Sequence, residues 1–510
     1  MQLETVIGLE VHVQLKTKSK MFCGCKNADD TDAPNTCVCE VCLAHPGTLP
    51  VPNGTAIEWA VKTALALSCK INSDSLFERK HYFYPDLPKG YQISQHTQPI
   101  AVDGQLSFDC ACANRDHCAH CVIGIERLQL EEDTAKLTHT PDGSTLIDFN
   151  RAGTPLLEIV STPSLRTPAD AKLYLQELRE IVRALGVSDA EMEKGQLRCD
   201  ANISVRKQGD KTLNTKIEVK NLNSFRAVER ALSYEEQRLS DLFTQGAYPV
   251  LQETRGWDDA TSRTELQRKK EQAEDYRYFP DPDIPPFHFE PSMIERLRAV
   301  VPELPYAKRA RFISDFGFTP SEAKILTSDQ RLADYTEKVI SELIAWVSSQ
   351  PGGGDEATIW KQHGALLTRL VFGWLTSKLG GILAARNESF HDVRITPEDF
   401  AEFLTLIFNK TISSSIAQTL LQQMVATGHD PHELLETMGG GQVRDSEALS
   451  AAVAEVIAAQ PKVVAEYRGG KEGAIMFLVG HVMRAMQGKA DPQLVQQFLR
   501  DQLSASGKES

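Results

Sequence analysis

Carboxylates, arginines and one histidine are among the polar side chains that occupy every second position in three separated stretches of this chain. Each stretch alternates them with apolar residues, so a β-strand would place them together on one face. Clustered carboxylates repel one another unless cations neutralise them, and such oxygen-rich sites suit Mg²⁺, usually with phosphate completing its coordination. The candidate catalytic residues are Glu10, His12, Glu131, Asp200 and Glu218. All of these except Asp200 are also candidate Mg²⁺ ligands.

A β-hairpin within residues 196–225 would position two of these carboxylates. Polar and apolar residues alternate along strands at 197–206 and 216–220, which a turn or a longer loop would join. A hairpin with one solvated face is the ordinary interpretation of such a pattern. The same alternation at 9–15 and 127–133 favours a second interpretation. In that interpretation the three stretches share one sheet and their polar faces meet.

Two clusters of cysteines combine a C-x-C pair with a C-x-x-C pair, a spacing that can surround one tetrahedral Zn²⁺. The predicted ligands are Cys23, Cys25, Cys39 and Cys42 in the first cluster and Cys110, Cys112, Cys118 and Cys121 in the second. Cys37 could replace Cys39, and two histidines could substitute in the second cluster. Free buried cysteines are the alternative. With four ligands each, these zinc sites would be structural.

Two basic residues lie next to sequence features that could present them to a phosphate or another anion. Lys89 precedes a glycine in a loop rich in aromatic residues and proline, and Arg151 precedes Ala-Gly. A guanidinium suits anion binding. A solvated lysine and a structural salt bridge, respectively, are equally good explanations from composition alone. Both residues are therefore candidate nucleotide-binding residues, with these alternatives open.

The composition indicates a globular protein of several domains without a membrane span. The chain has 510 residues, 41% hydrophobic residues and a formal net charge of −14, and no apolar run approaches the roughly 18 residues of a membrane helix. A cytoplasmic location is the expectation, and indiscriminate nucleic-acid binding is disfavoured. The predicted domains are residues 1–292, an all-α domain at 293–396 and a helical tail at 397–510. The tail has more basic than acidic residues after position 460, which suits contact with an RNA backbone.

Several catalytic motifs are missing from the sequence. It contains no G-x-x-x-x-G-K-[ST] phosphate loop, no H-E-x-x-H and no G-x-S-x-G. No nucleophile lies beside a base in a way that would release ammonia from an amide donor. If the chain binds a nucleotide, it must do so at the carboxylate face and without a phosphate loop.

The chain closely resembles the GatB family of tRNA-dependent amidotransferase subunits over nearly its full length. The tail resembles the YqeY-type tail of that family. The stretches that carry the resemblance are 81–95, 130–133, 148–161, 196–204, 218–232, 275–286, 411–417 and 466–491. The resemblance implies an α+β fold: an N-terminal cradle domain on an antiparallel sheet, then an all-α helical domain and the YqeY-like, tRNA-binding tail.

The resemblance also implies a reaction and partners. The family phosphorylates the side-chain carboxylate of Glu-tRNA(Gln) or Asp-tRNA(Asn) with ATP and Mg²⁺. Ammonia from an amidase-type glutaminase subunit then displaces the phosphate, and a small third subunit completes the complex. Two other functions stay open from the residues: a non-catalytic tRNA-binding scaffold, and a stand-alone ammonia ligase that acts on a small acid.

Overall fold

The computed structural model describes residues 2–29, 31–110, 120–270, 276–350, 354–438, 446–469, 471–486, 490 and 492–505. The chain divides into two compact units, Met1–Ala307 and Lys308–Ser510. The strands in the described residues are β1 Leu3–Gln14, β2 Lys70–Ile71, β3 Asp74–Ser75, β4 Glu78–His81, β5 Tyr91–Ser94, β6 Ala101–Asp109, β7 His120–Glu132, β8 Lys136–His139, β9 Thr145–Asp148, β10 Pro155–Ser161, β11 Leu197–Lys207, β12 Ile217–Lys220, β13 Gln252–Asp258, β14 Arg263–Lys270, β15 Phe279–Pro280 and β16 Phe287–His288.

Within the described residues, α-helices accompany the strands in the first unit, and the second unit consists of helices. They are α1 Gly54–Ala66, α2 Pro168–Ala184, α3 Phe225–Thr244, α4 Pro291–Ala299, α5 Pro305–Phe316, α6 Pro320–Leu326, α7 Gln330–Ser349, α8 Glu356–Phe372, α9 Gly380–Ala385, α10 Pro397–Phe408, α11 Ser414–Thr427, α12 Pro431–Thr437, α13 Ser446–Ala459, α14 Pro461–Arg468, α15 Ala474–Ala485 and α16 Pro492–Ala505. Two 3₁₀ turns, Met192–Lys194 and Phe390–Asp392, and a π-helical segment, Gly373–Leu379, complete the described helical structure.

The first unit is built on a nine-stranded sheet with the strand order β14-β13-β12-β11-β1-β10-β7-β6-β2. All its pairs are antiparallel except β12 with β13, which is parallel. β11 and β12 form the hairpin that the sequence predicts, joined by the longer of the two possible connections. The prediction of an N-terminal domain on an antiparallel sheet, followed by helices, is confirmed.

The alternation in the strands divides the sheet into an apolar and a polar face. Leu9, Val11 and Val13 of β1 are buried in one core together with side chains of α1, α2 and α3. Capping side chains fix where two of these helices begin: Thr167 accepts from the backbone of α2, and Ser224 accepts from that of α3. Because the helices cover the apolar face, the polar side chains of the same strands lie together on the other face.

The second unit contains two hydrophobic cores in the described residues. The first core runs from Phe312 to Leu435, and the second from Leu449 to Leu503. The predicted boundary between residues 396 and 397 falls inside the first of these cores, because α7 before it and α10 after it pack together there. The division between the two units lies at 307/308, beyond the predicted boundary at 292/293.

One helical stretch of the described chain, Glu356–Ala385, is long and apolar enough to cross a membrane by length and composition. Core helices of soluble proteins pass the same test. In this stretch Leu367, Leu375 and Leu383 are buried in the first core of the second unit. These three leucines therefore pack against protein.

Candidate active site and metal centres

Five adjacent strands bring the predicted acidic residues onto one face of the sheet. Glu10 on β1 lies opposite Asp200 on β11. Asn202, two residues further along β11, lies opposite Glu218 on β12. Directly paired residues, and residues two apart in one strand, share a face. The structure therefore places Glu10, Asp200 and Glu218 on one continuous surface.

The other side of β1 completes this surface. His12 pairs with Glu158 on β10, and Glu158 pairs with Gln129 on β7, two residues before Glu131. The Nε2 atom of His12 lies 3.4 Å from Glu131 Oε1, 3.9 Å from Glu158 Oε2 and 4.0 Å from Glu10 Oε1. One ligand atom from each of Glu10, His12 and Glu158 lies within 4.8 Å of the others. This group is hereafter the central cluster, and Glu131 borders it.

The residues of the central cluster fit a divalent cation. Burial raises the pKa of Glu158 well above its usual value, and Glu131 and Glu10 raise it further. Burial also raises the pKa of Glu131. For His12, burial is the main cause of a pKa lowered to about 3, with the charge of Arg198 adding to it, so its imidazole is neutral and can act as a ligand. A cation would relieve the repulsion among these buried carboxylates.

Asp200 and Glu218 form a second group, centred on Lys220. The Lys220 ammonium contacts Asp200 and lies 3.2 Å from Glu218 Oε1. Burial lowers the pKa of Lys220, but the two carboxylates outweigh burial and the net shift is upward. Thr254 donates to Glu218 Oε2 over 2.8 Å. The single positive charge of Lys220 therefore offsets part of the negative charge of Asp200 and Glu218, on the same face as the central cluster.

Asp133 lies at the end of the polar face, beyond Glu131, and accepts hydrogen bonds there. Its side chain is buried, and its Oδ2 accepts from Arg198 over 2.7 Å and from Gln14 over 3.0 Å. Burial raises the pKa of Asp133, but Arg198 and Arg151 outweigh burial and hold that pKa below its usual value. The carboxylate form is thus the one that the fold stabilises.

We expect Asp133→Asn to lower the melting temperature at pH 7, because the amide cannot pair with Arg198. The free energy of unfolding should fall by about 1–3 kcal/mol, a modest amount because Arg198 is partly solvated. A carboxyl whose folded-state pKa is lowered stabilises the fold above its unfolded pKa of about 4, and this contribution is lost as the pH falls through the folded value. The difference between the melting temperatures of the two proteins should therefore become smaller as the pH falls from 7 to 3. A constant difference would contradict the ion-pair explanation.

The two predicted phosphate ligands have partners within the described protein. Lys89 Nζ lies 2.6 Å from Glu132 Oε1. Arg151 donates to the backbone oxygens of Thr134 and Ala135 over 2.9 and 2.8 Å. Their roles toward a nucleotide stay predictions, since both side chains already contribute to the local structure.

The first cysteine cluster assembles as its spacing predicts. One sulfur from each of Cys23, Cys25, Cys39 and Cys42 lies within 4.8 Å of the others. Cys42 is buried, and a hydrogen bond from the Cys23 thiol is the main cause of a Cys42 pKa lowered to about 4. Lys20, which is fully buried, places its ammonium 3.6 Å from Cys42 Sγ. Four thiolates around Zn²⁺ carry net negative charge, so a buried lysine beside them fits that metal.

The second cysteine cluster lies only partly within the described residues. Cys110 and Cys121 are joined as a disulfide, whereas Cys112 and Cys118 lie outside the described residues. A disulfide sulfur is not a thiolate ligand. The second zinc site therefore stays a prediction, with a disulfide as its competitor.

Two residues of the site are not predicted from the sequence. Glu158 lies in a buried strand, and its signal is a single charged residue inside the apolar run Pro155–Ser161. Ser94 lies in a stretch whose composition indicates a loop, yet it ends β5 and donates to Glu131 Oε2 over 3.1 Å. Neither position belongs to a repeating pattern, and only the strand pairing shows where each side chain lies.

Comparison with known proteins adds an independent line of evidence. Residues 5–295 match the model of the GatB/GatE catalytic domain, and residues 360–503 match that of the GatB domain. The chain is 43% identical to the GatB subunit of aspartyl/glutamyl-tRNA(Asn/Gln) amidotransferase from Brevibacillus brevis, over 98% of this chain and 99% of the relative. The corresponding proteins of Geobacillus kaustophilus and Moorella thermoacetica are each 44% identical. These two alignments cover 99% of this chain, and 99% and 100% of the relatives.

We call the part of the polar face that carries Glu10, Glu131, Glu158, Asp200 and Glu218 the acidic face. The matched catalytic domain contains all five strands that carry this acidic face, and the matched second domain lies in the helical unit. The order of the two domains along the chain is the order in which the sheet and the helices occur. The relatives at 43–44% identity align with this chain over nearly its whole length and nearly the whole length of each relative. The chain belongs to the GatB family, as the GatB subunit of the glutamine-dependent ligase complex aspartyl/glutamyl-tRNA(Asn/Gln) amidotransferase.

Proposed function

We propose that the acidic face of the sheet is where the side chain of a misacylated aminoacyl-tRNA is activated and amidated. The substrate is Glu-tRNA(Gln), Asp-tRNA(Asn) or both. A side-chain carboxylate oxygen attacks the γ-phosphorus of ATP, and ADP leaves. Ammonia then attacks the carbonyl carbon, the C–O bond to the phosphate breaks, and inorganic phosphate leaves. The amino acid stays esterified to the tRNA through its α-carboxyl group throughout.

The observation that supports this proposal is the meeting of the central cluster with Glu131, Asp200 and Glu218 on one face. Phosphoryl transfer requires positioning and neutralisation of charge more than covalent catalysis. Glu10, His12 and Glu158 would hold Mg²⁺, with Glu131 beside them. Bound there, Mg²⁺ would neutralise the charge of the phosphates.

The surrounding residues of this chain would keep the acidic face in register and restrict solvent. Gln129 donates to Glu158 Oε2 over 2.8 Å, and Ser94 donates to Glu131, so both carboxylates are oriented before substrate arrives. Only 4% of Glu131 and 5% of Glu158 is exposed. An acyl phosphate hydrolyses readily, and a site with such buried walls would limit its contact with bulk water.

The proposal includes partners and cofactors beyond this chain. Ammonia would come from an amidase-type glutaminase subunit, and a small third subunit would complete a cytoplasmic heterotrimer. Zn²⁺ would be bound by Cys23, Cys25, Cys39 and Cys42 and would act as a structural ion. What supports the zinc is the sulfur cluster beside buried Lys20.

A substrate comparison tests the function. The complex is supplied with ATP, Mg²⁺ and ammonium chloride, which bypasses the glutaminase, and with Glu-tRNA(Gln), Asp-tRNA(Asn) or free glutamate. We expect ATP-dependent amide formation on at least one of the two aminoacyl-tRNAs and none on free glutamate. Amidation of free glutamate would indicate a stand-alone ligase. Amide formation by the partner subunits alone would indicate that this chain is a scaffold.

The helical tail is proposed to bind tRNA, and the structure shows where it can be removed. Deletion from position 397 would cut through the core shared by α7 and α10, whereas α13–α16 surround a core of their own. We expect a chain ending at residue 445 to raise the KM for aminoacyl-tRNA at least about tenfold, because phosphate contacts dominate RNA affinity. The KM for ATP should stay within about twofold. Equal loss of both would indicate that the truncated protein misfolds.

A further inference from the structure

Two carboxylates and one histidine lie together in the helical unit, where α10 contacts α12. They belong to Glu402 of α10, Asp430 immediately before α12, and His432 in the first turn of α12. One ligand atom from each of the three lies within 4.8 Å of the others. We call this group the helical cluster. It offers the same kinds of ligand atom as the central cluster, two carboxylate oxygens and one imidazole nitrogen.

The packing of the two helices holds the helical cluster in place. Phe403 of α10 and Leu435 of α12 are buried in the same hydrophobic core. Asp430 is also fixed by its own helix, because its Oδ1 accepts from the backbone N–H groups of His432 and Glu433 over 2.8 and 3.1 Å. The ligand atoms therefore come from two elements that the core already holds together, so they are arranged before an ion binds.

Glu402 lacks the cationic partner that a buried carboxylate normally has. Only 8% of this residue is exposed, and buried charges in proteins are generally paired. Glu235, another buried glutamate, shows the usual arrangement, with the Arg238 guanidinium 2.7 Å away. In the part of the chain that the structure describes, no lysine or arginine forms an ion pair with Glu402. Its partner is His432, whose Nδ1 lies 2.5 Å from Glu402 Oε1.

The chain itself does not balance the charge of the helical cluster. Burial raises the pKa of Glu402, and the charge of Asp430 raises it further, whereas His432 lowers it. The net shift is upward, so the imidazole does not compensate for bringing the two carboxylates together. A divalent cation would compensate for it, because it matches their two negative charges. The His432 side chain is 57% exposed, which gives an ion access from solvent.

We propose that Glu402, Asp430 and His432 bind a Zn²⁺ ion that fastens α10 to α12. Zn²⁺ accepts imidazole nitrogen and carboxylate oxygen in one site, whereas Mg²⁺ and Ca²⁺ prefer oxygen ligands alone. Three protein ligands leave one position of a tetrahedral ion for water. Because the ligands come from two packed helices, the ion would stabilise the folded helical unit. The inference is independent of the reaction proposed for the acidic face.

The test measures the Zn²⁺ that the purified complex binds at equilibrium, with wild type, His432→Ala or Glu402→Gln as this chain. Excess Mg²⁺ is present to compete at the central cluster. The cysteines are the same in every form, so a difference in zinc content reports on the helical cluster. The matched control is His429→Ala, an exposed neighbouring histidine that contacts Glu433 and lies outside the cluster. We expect each cluster variant to bind one Zn²⁺ fewer per chain than the wild type and the control.

Two variants are used because they fail in different ways. His432 is exposed, so its loss should leave the core intact, and Glu402→Gln keeps the size of the buried side chain. Circular dichroism checks that both fold. Zn²⁺ should raise the melting temperature of the wild type more than that of either variant. Zinc retained by Glu402→Gln would mean that an exposed histidine binds the ion alone. That result, zinc retained by His432→Ala, or an equal rise in melting temperature in all forms overturns the inference.

Discussion

Glu131→Gln should reduce ATP-dependent amidation at least about 100-fold while the affinity for tRNA stays within a few-fold. The amide has nearly the shape of the carboxylate and can still accept from Ser94, so packing around this buried position should survive. The change removes one negative charge 3.4 Å from His12, beside the central cluster. Groups that orient or bind a catalytic metal typically contribute 10–100-fold or more. The measurement is amide formation with ammonium chloride as the nitrogen source, alongside tRNA binding.

The matched control is Glu265→Gln, an exposed glutamate on the edge strand β14. It should leave amidation unchanged. Titrating Mg²⁺ adds a second readout, because a residue near the metal should also shift the Mg²⁺ concentration that gives half-maximal rate. If Glu131→Gln turns over at the wild-type rate, Glu131 has no role in the mechanism, and the acidic face loses its main support as the catalytic site.

For the acidic face, the sequence predicts some features of the fold and leaves others open. Alternation with a period of two identifies a strand and its faces, and it predicts that Glu10, His12 and Glu131 are polar-face residues. It does not predict strand order. β1 lies between β10 and β11, which are distant from it in the chain. The convergence of these residues follows from that order, so it becomes visible only in the structure.

Glu158 illustrates a different limit. The strand Pro155–Ser161 is buried along nearly its whole length, so its sequence lacks the alternation of a half-exposed strand. A single glutamate in such a run predicts a partner, because a buried charge needs one. The run does not identify that partner. His12 and Gln129 lie on the neighbouring strands, and only the pairing register brings them to Glu158.

Lys89 and Arg151 show why single cations are weak predictors of ligand sites. Both predictions rest on the residues next to them in sequence. In the structure, Glu132 lies beside Lys89, and two backbone oxygens accept from Arg151. A free cation and a paired cation look alike in sequence, because the partner comes from elsewhere in the chain. The first cysteine cluster is easier to predict, since each of its pairs, Cys23 with Cys25 and Cys39 with Cys42, is close in sequence.

The largest structural effect is expected from Cys23→Ala, which should abolish zinc binding at the first cysteine cluster. A tetrahedral structural site uses four ligands, and three sulfurs would leave buried Lys20 beside a weakened anionic partner. Because a zinc ion bound there would stabilise the fold, the melting temperature should also fall. Zinc per chain is measured by mass spectrometry of the purified complex.

The second cluster provides the comparison for Cys23→Ala. If Cys110, Cys112, Cys118 and Cys121 also bind zinc, Cys110→Ala should lose one equivalent as well. If Cys110 and Cys121 form a disulfide instead, the zinc content of Cys110→Ala should equal that of the wild type, and thiol titration should show one additional free cysteine. Unchanged zinc content in Cys23→Ala would contradict the first site.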